Sequence, residues 1–271
     1  MSKIINKMNA FLLFLAFTSR IPIPPLAENE TNTDERAFGK SMKYYPVIGF
    51  LLGIITFSLF FALNALTNGI FNPSILALLY ILIEIFLTGI IHLDGLADSF
   101  DGLFSYQNKE KILEIMKDSH IGTNAVIALI LYSLIKYTLF AEILTNYQNS
   151  VSSLCILFLI MPIFSRLSVV YSCAFFPYAK KEGMAKIFVE NTTHKDFYKS
   201  LLGVILFILL FSFFSSVSFL VLFLMLALIF MFTYLYNIFL MHKINGNTGD
   251  TFGALLELNA LLTLLLFYLF V

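Results

Sequence analysis

An acidic segment contains the side chains in this sequence that are best suited to chemistry, namely Asp94, Asp98 and Asp101. In a helix, Asp98 would lie about 40° from Asp94 around the axis, and Asp101 about 20° to the other side. Carboxylates on one face repel one another, and a divalent cation would reverse that repulsion. Because Mg²⁺ takes oxygen ligands from carboxylates, water and substrate phosphates, the spacing predicts a magnesium site. The alternative is a solvated acidic helix end, which would normally mix charges of both signs.

A second polar segment stands just before the next long apolar stretch. Asp118 is predicted as a further metal ligand, and Lys117 as a point charge that contacts phosphate. Ser119, Gly122 and Thr123 lie where a helix would begin, so their hydroxyl and backbone N–H groups are candidates for holding an anion. An ordinary helix cap explains the same serine and threonine equally well. The sequence leaves both interpretations open.

The remaining candidates are scattered along the chain. Asp250 is a candidate ligand and Thr248 a candidate phosphate contact, both in a glycine-rich loop of a common type. Arg166 lies within an apolar stretch, where an arginine normally faces a protein interior or a wet cavity. Its partner would be a substrate phosphate or an aspartate, with a structural ion pair as the alternative. Arg20 is a candidate substrate contact, and His92 a candidate base, although it points away from the aspartates in a regular helix.

The composition indicates what kind of fold must position these residues. The 271-residue chain is 59% hydrophobic and contains 31 phenylalanines, with a mean hydropathy of +0.87. Soluble proteins are about 45–50% apolar, so a soluble core could not cover this much apolar surface. The 17 basic and 17 acidic residues balance, which argues against a nucleic-acid-binding protein because such proteins carry a basic excess. The sequence predicts one all-α domain, a polytopic membrane helix bundle.

Seven apolar stretches are long enough, or nearly so, to cross a bilayer as helices. They are residues 46–66, 74–91, 124–144, 151–175, 200–214, 217–240 and 253–271. The apolar run at 8–18 is short for a span and predicts an N-terminal interfacial or re-entrant helix. Residues 1–45 are therefore predicted to form this helix and a loop. Residues 46–271 are predicted to form a transmembrane bundle with catalytic loops at 92–123 and 241–253.

The charges of the connecting loops predict which side of the membrane the aspartates face. The loops at 19–45, 92–123, 177–199 and 241–252 contain 4, 3, 5 and 1 lysines or arginines. The three loops that alternate with them contain none. By the positive-inside rule, the four charged loops are cytoplasmic. All the candidate chemistry is therefore predicted to face the cytoplasm.

Five sequence motifs resemble those of the cobalamin synthase family, the adenosylcobinamide-GDP ribazoletransferases. The most specific of them is His92-Leu-Asp-Gly-Leu-Ala-Asp-Ser-Phe-Asp-Gly102. The others are Phe17-Thr-Ser-Arg-Ile-Pro22, Tyr45-Pro-Val-Ile-Gly49, Glu114-Ile-Met-Lys-Asp-Ser with Ile-Gly-Thr123, and Asn247-Thr-Gly-Asp-Thr-Phe-Gly253. They cover almost the whole chain in the family's order. Ser99, Phe100 and His120 depart from the family pattern, but every carboxylate of the pattern is present.

This resemblance implies a reaction and its participants. A ribose hydroxyl of α-ribazole, or of its 5′-phosphate, attacks the phosphate attached to cobinamide in adenosylcobinamide-GDP, and GMP leaves. The implied cofactor is Mg²⁺, whose ligands would be Asp94, Asp98, Asp101 and Asp118. Lys117 and Arg166 would stabilise anionic oxygens, and one aspartate or His92 would take the hydroxyl proton. The family works at the bacterial or archaeal inner membrane, so the expected partners are these substrates and the lipid bilayer, with no nucleic acid.

Other classes of protein share some of these features. A CDP-alcohol phosphotransferase of phospholipid synthesis would share Asp98-Ser-Phe-Asp101-Gly102, but its following Ala-Arg pair and its paired final aspartates are missing. The Asn-Asp-x-x-x-Asp type of string found in aromatic prenyltransferases is also missing. A cation-coupled transporter would hold its charges near the bilayer midplane on broken helices, whereas these aspartates follow the predicted end of a span. The sequence leaves the oligomeric state open, a homo-oligomer included.

Overall fold

The computed structural model shows a helical chain, and it describes residues 2–23, 35–67, 69–146, 150–215 and 217–271, with side chains from Met8 onward. The helices are α1 (Ser2–Thr18), α2 (Glu35–Gly39), α3 (Tyr45–Leu66), α4 (Pro73–Thr88), α5 (Ile91–Leu103), α6 (Lys109–Ile115), α7 (Thr123–Asn146), α8 (Val151–Phe175), α9 (Lys186–Asn191), α10 (His194–Ser212), α11 (Phe219–Ile244) and α12 (Gly249–Phe270). A short 3-10 helix, Lys40–Tyr44, connects α2 to α3. Over the described residues the strand-like pairing is limited to an isolated bridge between Tyr178 and Asn247. The all-α prediction is confirmed. Part of the predicted first cytoplasmic loop, residues 24–34, lies outside the described residues.

Among the described residues, five helical segments are long and apolar enough to cross a membrane, and they contain α3, α7, α8, α11 and α12. α4 and α5 together would make a sixth span, but the chain bends by 95° between them. α10 is not among the candidates because Lys195, Asp196 and Lys199 stand in its first turns. The polytopic bundle is confirmed, whereas the number of spans among the described residues falls from the predicted seven to five, or six with the bent pair. α1 is helical where an interfacial helix was expected, and its position relative to the bilayer stays a prediction.

The bend between α4 and α5 occurs at Gly89, which has a φ of 70°. Its backbone lies against Arg20, whose Nε is 2.9 Å from the position that a Cβ would take at Gly89. Any other residue would be strained at this φ, and its Cβ would require the exposed Arg20 side chain to shift. The predicted catalytic loop at 92–123 therefore begins with a helix, and α5 and α6 occupy most of its length.

α8 forms the centre of the bundle, because 89% of its most apolar stretch of residues is buried. It packs against α3, α10, α11 and α12. A Cβ at Gly49 of α3 would lie 2.4 Å from the carbonyl oxygen of Pro162, and one at Gly53 would lie 2.6 Å from that of Phe158. Pro162 has no N–H to donate to the Phe158 carbonyl. The two glycines let the backbones of α3 and α8 meet at this irregular turn. This contact fixes Tyr45, the first residue of α3, beside the site described below.

A buried ion network joins α4, α7 and α12. Lys136 lies near the middle of α7, and its side chain is only 4% exposed. Its Nζ is 2.5 Å from a carboxylate oxygen of Glu84 on α4 and 3.8 Å from one of Glu257 on α12. The lysine also donates to the Tyr132 hydroxyl at 2.7 Å, and that hydroxyl donates to Glu257. One cation thus neutralises carboxylates from two other helices.

Candidate active site

Two glycines bring α5 into contact with the beginning of α12. A Cβ at Gly95 would lie 2.7 Å from the carbonyl oxygen of Asp250, and one at Gly253 would lie 3.2 Å from that of His92. A side chain at Gly95 would push the two helices apart, because its nearest neighbours are backbone atoms that cannot rotate away. This contact places Asp94 and Asp250 on the wall of one cavity.

Asp101 binds the first turn of α7. Its Oδ2 accepts a hydrogen bond from the Gly122 N–H at 2.6 Å, and its Oδ1 accepts one from the Ala125 N–H at 2.8 Å. A carboxylate is stabilised at this position by the unpaired N–H groups and by the helix dipole. Of the groups predicted to hold a substrate anion, the Gly122 N–H therefore binds a carboxylate of the protein itself. The predicted roles of Ser119 and Thr123 stay predictions.

Replacing Asp101 with alanine is expected to destabilise the protein by about 1–2 kcal/mol, as the loss of a helix N-cap usually does. Asp101→Asn is expected to have a smaller effect, because its amide oxygen still accepts one hydrogen bond. Thermal unfolding in detergent measures both changes. Glu110→Ala, at an exposed carboxylate in the first turn of α6, is the matched control. Equal unfolding temperatures for Asp101→Ala and this control would contradict the capping role.

Asp94 and Asp98 lie on the open side of α5. Asp94 is exposed and Asp98 is half-buried, and neither carboxylate accepts a hydrogen bond within the described part of the chain. Asp98 interacts electrostatically with the carboxylates of Asp94, Asp250 and Asp101, and with the ammonium group of Lys180. The described residues contain no group of three His, Cys, Asp or Glu side chains arranged to hold a metal ion. A cation at Asp94 and Asp98 would therefore need further ligands from water or from a bound substrate.

A cavity of about 630 Å³ opens beside Asp94. This volume lies within the usual range of small-molecule sites, about 300–1,000 Å³. The charged side chains that line it are Asp94, Lys117, Lys180, Glu182 and Asp250. Its larger apolar side chains are Phe14, Phe17, Met42, Ile91, Val169, Met184, Phe188 and Phe252. The cavity therefore suits a molecule that has both a charged part and an apolar part, and an anionic group there would need a cation beside the three carboxylates.

The loop after α8 supplies a charged residue that the sequence analysis missed. The Nζ of Lys180 donates to Asp250 Oδ2 at 3.0 Å. The loop is held by two backbone hydrogen bonds, from the Asn247 N–H to Pro177 O at 2.8 Å and from the Ala179 N–H to Asn247 O at 2.7 Å. The one signal in the sequence is a pair of adjacent lysines after the span. That signal gave no reason to choose this lysine, because its partner is far away in the sequence.

The glycine-rich loop before α12 is shaped by buried hydrogen bonds. The side-chain amide of Asn247 donates to Asn237 Oδ1 at 2.9 Å. Thr248 caps α12, since its Oγ1 accepts from the Thr251 N–H at 3.2 Å. The same hydroxyl donates to Asp250 Oδ2 at 3.2 Å. Thr248 is fully buried, so it positions Asp250 and does not contact a phosphate as the sequence analysis expected.

Lys117 and His92 both line the cavity. The Nε2 of His92 is 3.2 Å from the Tyr45 hydroxyl. Its Nδ1 is buried and has no hydrogen-bond partner among the described residues. His92 and Asp94 line the same cavity, although α5 is a regular helix and its spacing puts the two residues on different sides of the axis. The role of His92 as a base stays a prediction.

Arg166 and Arg20 lie outside the lining of this cavity. Arg166 is buried beneath the Tyr45 ring, 5.5 Å from its centre, and its Nη1 donates to Pro162 O at 3.2 Å. No aspartate or glutamate of the described residues lies within ion-pair distance of it. Its contacts favour a structural role over the predicted contact with phosphate. Arg20 is exposed and packs against the bend at Gly89.

Asp118 pairs with His120 on the surface. Its Oδ1 accepts from the His120 N–H at 3.0 Å and lies 2.6 Å from the ring Nδ1. The backbone hydrogen bond is the main cause that lowers the pKa of Asp118, and the hydrogen bond to Asp118 raises the pKa of His120. Asp118 is not part of the cavity lining, although the adjacent Lys117 is. Its predicted role as a metal ligand stays a prediction.

The fold and the cavity define a polytopic membrane protein with a charged site between helix ends, as a membrane-bound transferase with a polar substrate would need. The family profile for cobalamin-5-phosphate synthase matches residues 10–268. The chain belongs to this family.

Similar proteins with the name adenosylcobinamide-GDP ribazoletransferase match over nearly their full lengths. One from Fusobacterium nucleatum subsp. nucleatum is 36% identical over 96% of this chain and 97% of its own. One from Acetivibrio thermocellus is 37% identical over 97% and 98%, and one from Clostridioides difficile is 32% identical over 97% and 98%. No solved structure matches the chain.

Proposed function

We propose that this protein transfers the phosphocobinamide group of adenosylcobinamide-GDP to α-ribazole or its 5′-phosphate, releasing GMP and completing a late step of cobalamin synthesis. The observation that carries the proposal is the cavity beside Asp94, which combines two lysines and three carboxylates with an aromatic lining. A pyrophosphate fits its charged side chains, and a flat base fits its apolar ones. The name shared by the full-length relatives supports the same reaction.

In the proposed reaction, an oxygen–phosphorus bond forms between the ribose hydroxyl and the phosphate attached to cobinamide. The bond from that phosphorus to the GMP oxygen breaks, and GMP keeps the electron pair. Lys117 and Lys180 supply positive charge to the phosphate oxygens, as phosphoryl transfer requires. The hydroxyl proton goes either to one of the aspartates or to His92. His92 lines the cavity, and its Nδ1 has no hydrogen-bond partner among the described residues.

Mg²⁺ fits the donors of this site. Asp94 and Asp98 offer carboxylate oxygens that no described donor occupies, and Mg²⁺ is commonly held by one or two carboxylates together with substrate phosphates. Asp101 is less suited, because both of its oxygens already accept backbone hydrogen bonds. When bound, the ion would neutralise the charge of the pyrophosphate.

The loop charges support an inner-membrane location with the cavity facing the cytoplasm. Lys117 and Lys180 belong to two of the lysine-bearing loops that the positive-inside rule assigns to the cytoplasm. Both line the cavity, so the site and the predicted cytoplasmic loops lie on the same side of the bundle.

The test is turnover by the purified full-length protein in detergent. With adenosylcobinamide-GDP, α-ribazole and Mg²⁺, we expect GMP and a cobalamin product in equal amounts, measured by chromatography. EDTA should stop the reaction, and added Mg²⁺ should restore it. Absence of GMP from a protein that remains folded and monodisperse would overturn the proposal.

A further inference from the structure

A second cavity, of about 510 Å³, lies between α10 and the beginning of α3. We call it the α3–α10 groove. Its apolar wall consists of Pro46, Val47, Phe50, Ile163, Val204 and Phe207. Lys43, Lys199 and Ser200 line the same groove. We propose that this groove binds one phospholipid with an anionic headgroup.

The position of the groove fits a lipid. Lys43 lies two residues before the first residue of α3 and within the spanning segment that contains α3. From Lys199 the groove follows α10 to Phe207, about 12 Å along the helix axis. Val47 is 47% exposed and lies on the outside of the bundle, where bilayer lipids have access. An acyl chain can follow this apolar wall while its headgroup stays beside the lysines.

The charge of the polar end favours an anionic headgroup. Lys199 is exposed and has no acidic partner within ion-pair distance in the described part of the chain. Lys43 is 3.9 Å from Asp196, whose other oxygen accepts hydrogen bonds from the backbone and hydroxyl of Thr193. Two ammonium groups therefore face one carboxylate, and the positive excess attracts anionic lipids of the cytoplasmic leaflet.

The groove also adjoins the candidate active site. Tyr44 lines the groove, and the next residue, Tyr45, lines the cavity beside Asp94. The beginning of α3 is therefore a wall that the two sites share. A lipid in the groove would pack against the segment that positions Tyr45, and through it His92.

Gly203 allows a direct test. It lines the groove, and a Cβ at this position would meet no atom within 4 Å. The Cβ of Gly203→Leu therefore has free space, and the rest of its side chain is expected to fill the groove. The substitution also replaces a residue that is unfavourable inside a helix. Lys43→Gln with Lys199→Gln removes the charge and keeps the apolar wall. Lys181→Gln, at an exposed lysine elsewhere, is the matched control.

The experiment is native mass spectrometry of the full-length protein from nanodiscs that contain equal phosphatidylglycerol and phosphatidylcholine. We expect wild type and Lys181→Gln to retain one phosphatidylglycerol. Gly203→Leu should lose it while keeping the wild-type unfolding temperature, and the double lysine variant should bind it about 30-fold more weakly. Equal retention of the two lipids by wild type, or unchanged retention by Gly203→Leu, would overturn the proposal.

Discussion

Replacing Asp98 with asparagine is expected to lower kcat by about 10²–10³-fold, the usual effect of removing one group that stabilises transition-state charge. The substitution keeps the shape of the side chain and removes its negative charge. No hydrogen bond in the described structure depends on this carboxylate, so the fold should be unaffected. The carboxylate interacts with those of Asp94 and Asp250, and removing its charge should weaken the binding of Mg²⁺. Initial rates of GMP release, measured over a range of Mg²⁺ concentrations, test both effects.

Glu110→Gln is the matched control, because it makes the same chemical change at an exposed position on α6. It should leave kcat and the Mg²⁺ requirement unchanged. Circular dichroism and the unfolding temperature should be the same for both variants. If Asp98→Asn is folded and turns over at the wild-type rate, Asp98 has no part in the chemistry.

Helical geometry is local, and this is why the sequence could predict that Asp94 and Asp98 share an open face of α5. The role of Asp101 could not be predicted, because it depends on where α7 begins and how α7 packs on α5. The backbone hydrogen bonds that Asp101 accepts come from residues 21 and 24 positions further along the chain. Lys180 was missed for the same reason, since its partner Asp250 is 70 positions away.

The membrane fold was largely predictable because bilayer thickness sets a length that can be read directly from apolar runs. The predicted spans differ from the observed helices where backbone conformation or charge, and not apolar length alone, decides where a helix begins and ends. At Gly89 a positive φ bends the chain by 95°, so that the predicted span ends with α4 and the predicted loop begins as a separate helix, α5. In α10, charged residues occupy the first turns and leave a short apolar part. Loop charges alone could not reveal either feature.

Replacing Lys136 with methionine is expected to destabilise the protein by about 3–5 kcal/mol, the usual effect of removing one partner from a buried ion pair. Methionine fills a similar volume but leaves Glu84 and Glu257 without their cation. Because these glutamates belong to α4 and α12, their repulsion acts on helices that lead into the candidate active site. We expect a lower unfolding temperature in detergent, together with reduced activity at temperatures where the wild type is intact.

The triple variant Lys136→Met, Glu84→Gln and Glu257→Gln separates charge from packing. Replacing a complete buried ion network with neutral groups is often close to neutral for stability. If charge is the cause, the triple variant should regain most of the stability that Lys136→Met loses. If it is as unstable as the single variant, the lysine acts through packing and the network is not what holds α4, α7 and α12 together. The N-terminal end of α7 binds Asp101, and the N-terminal end of α12 carries Asp250. Recovery of activity along with stability would therefore show that this network positions the site from within the membrane.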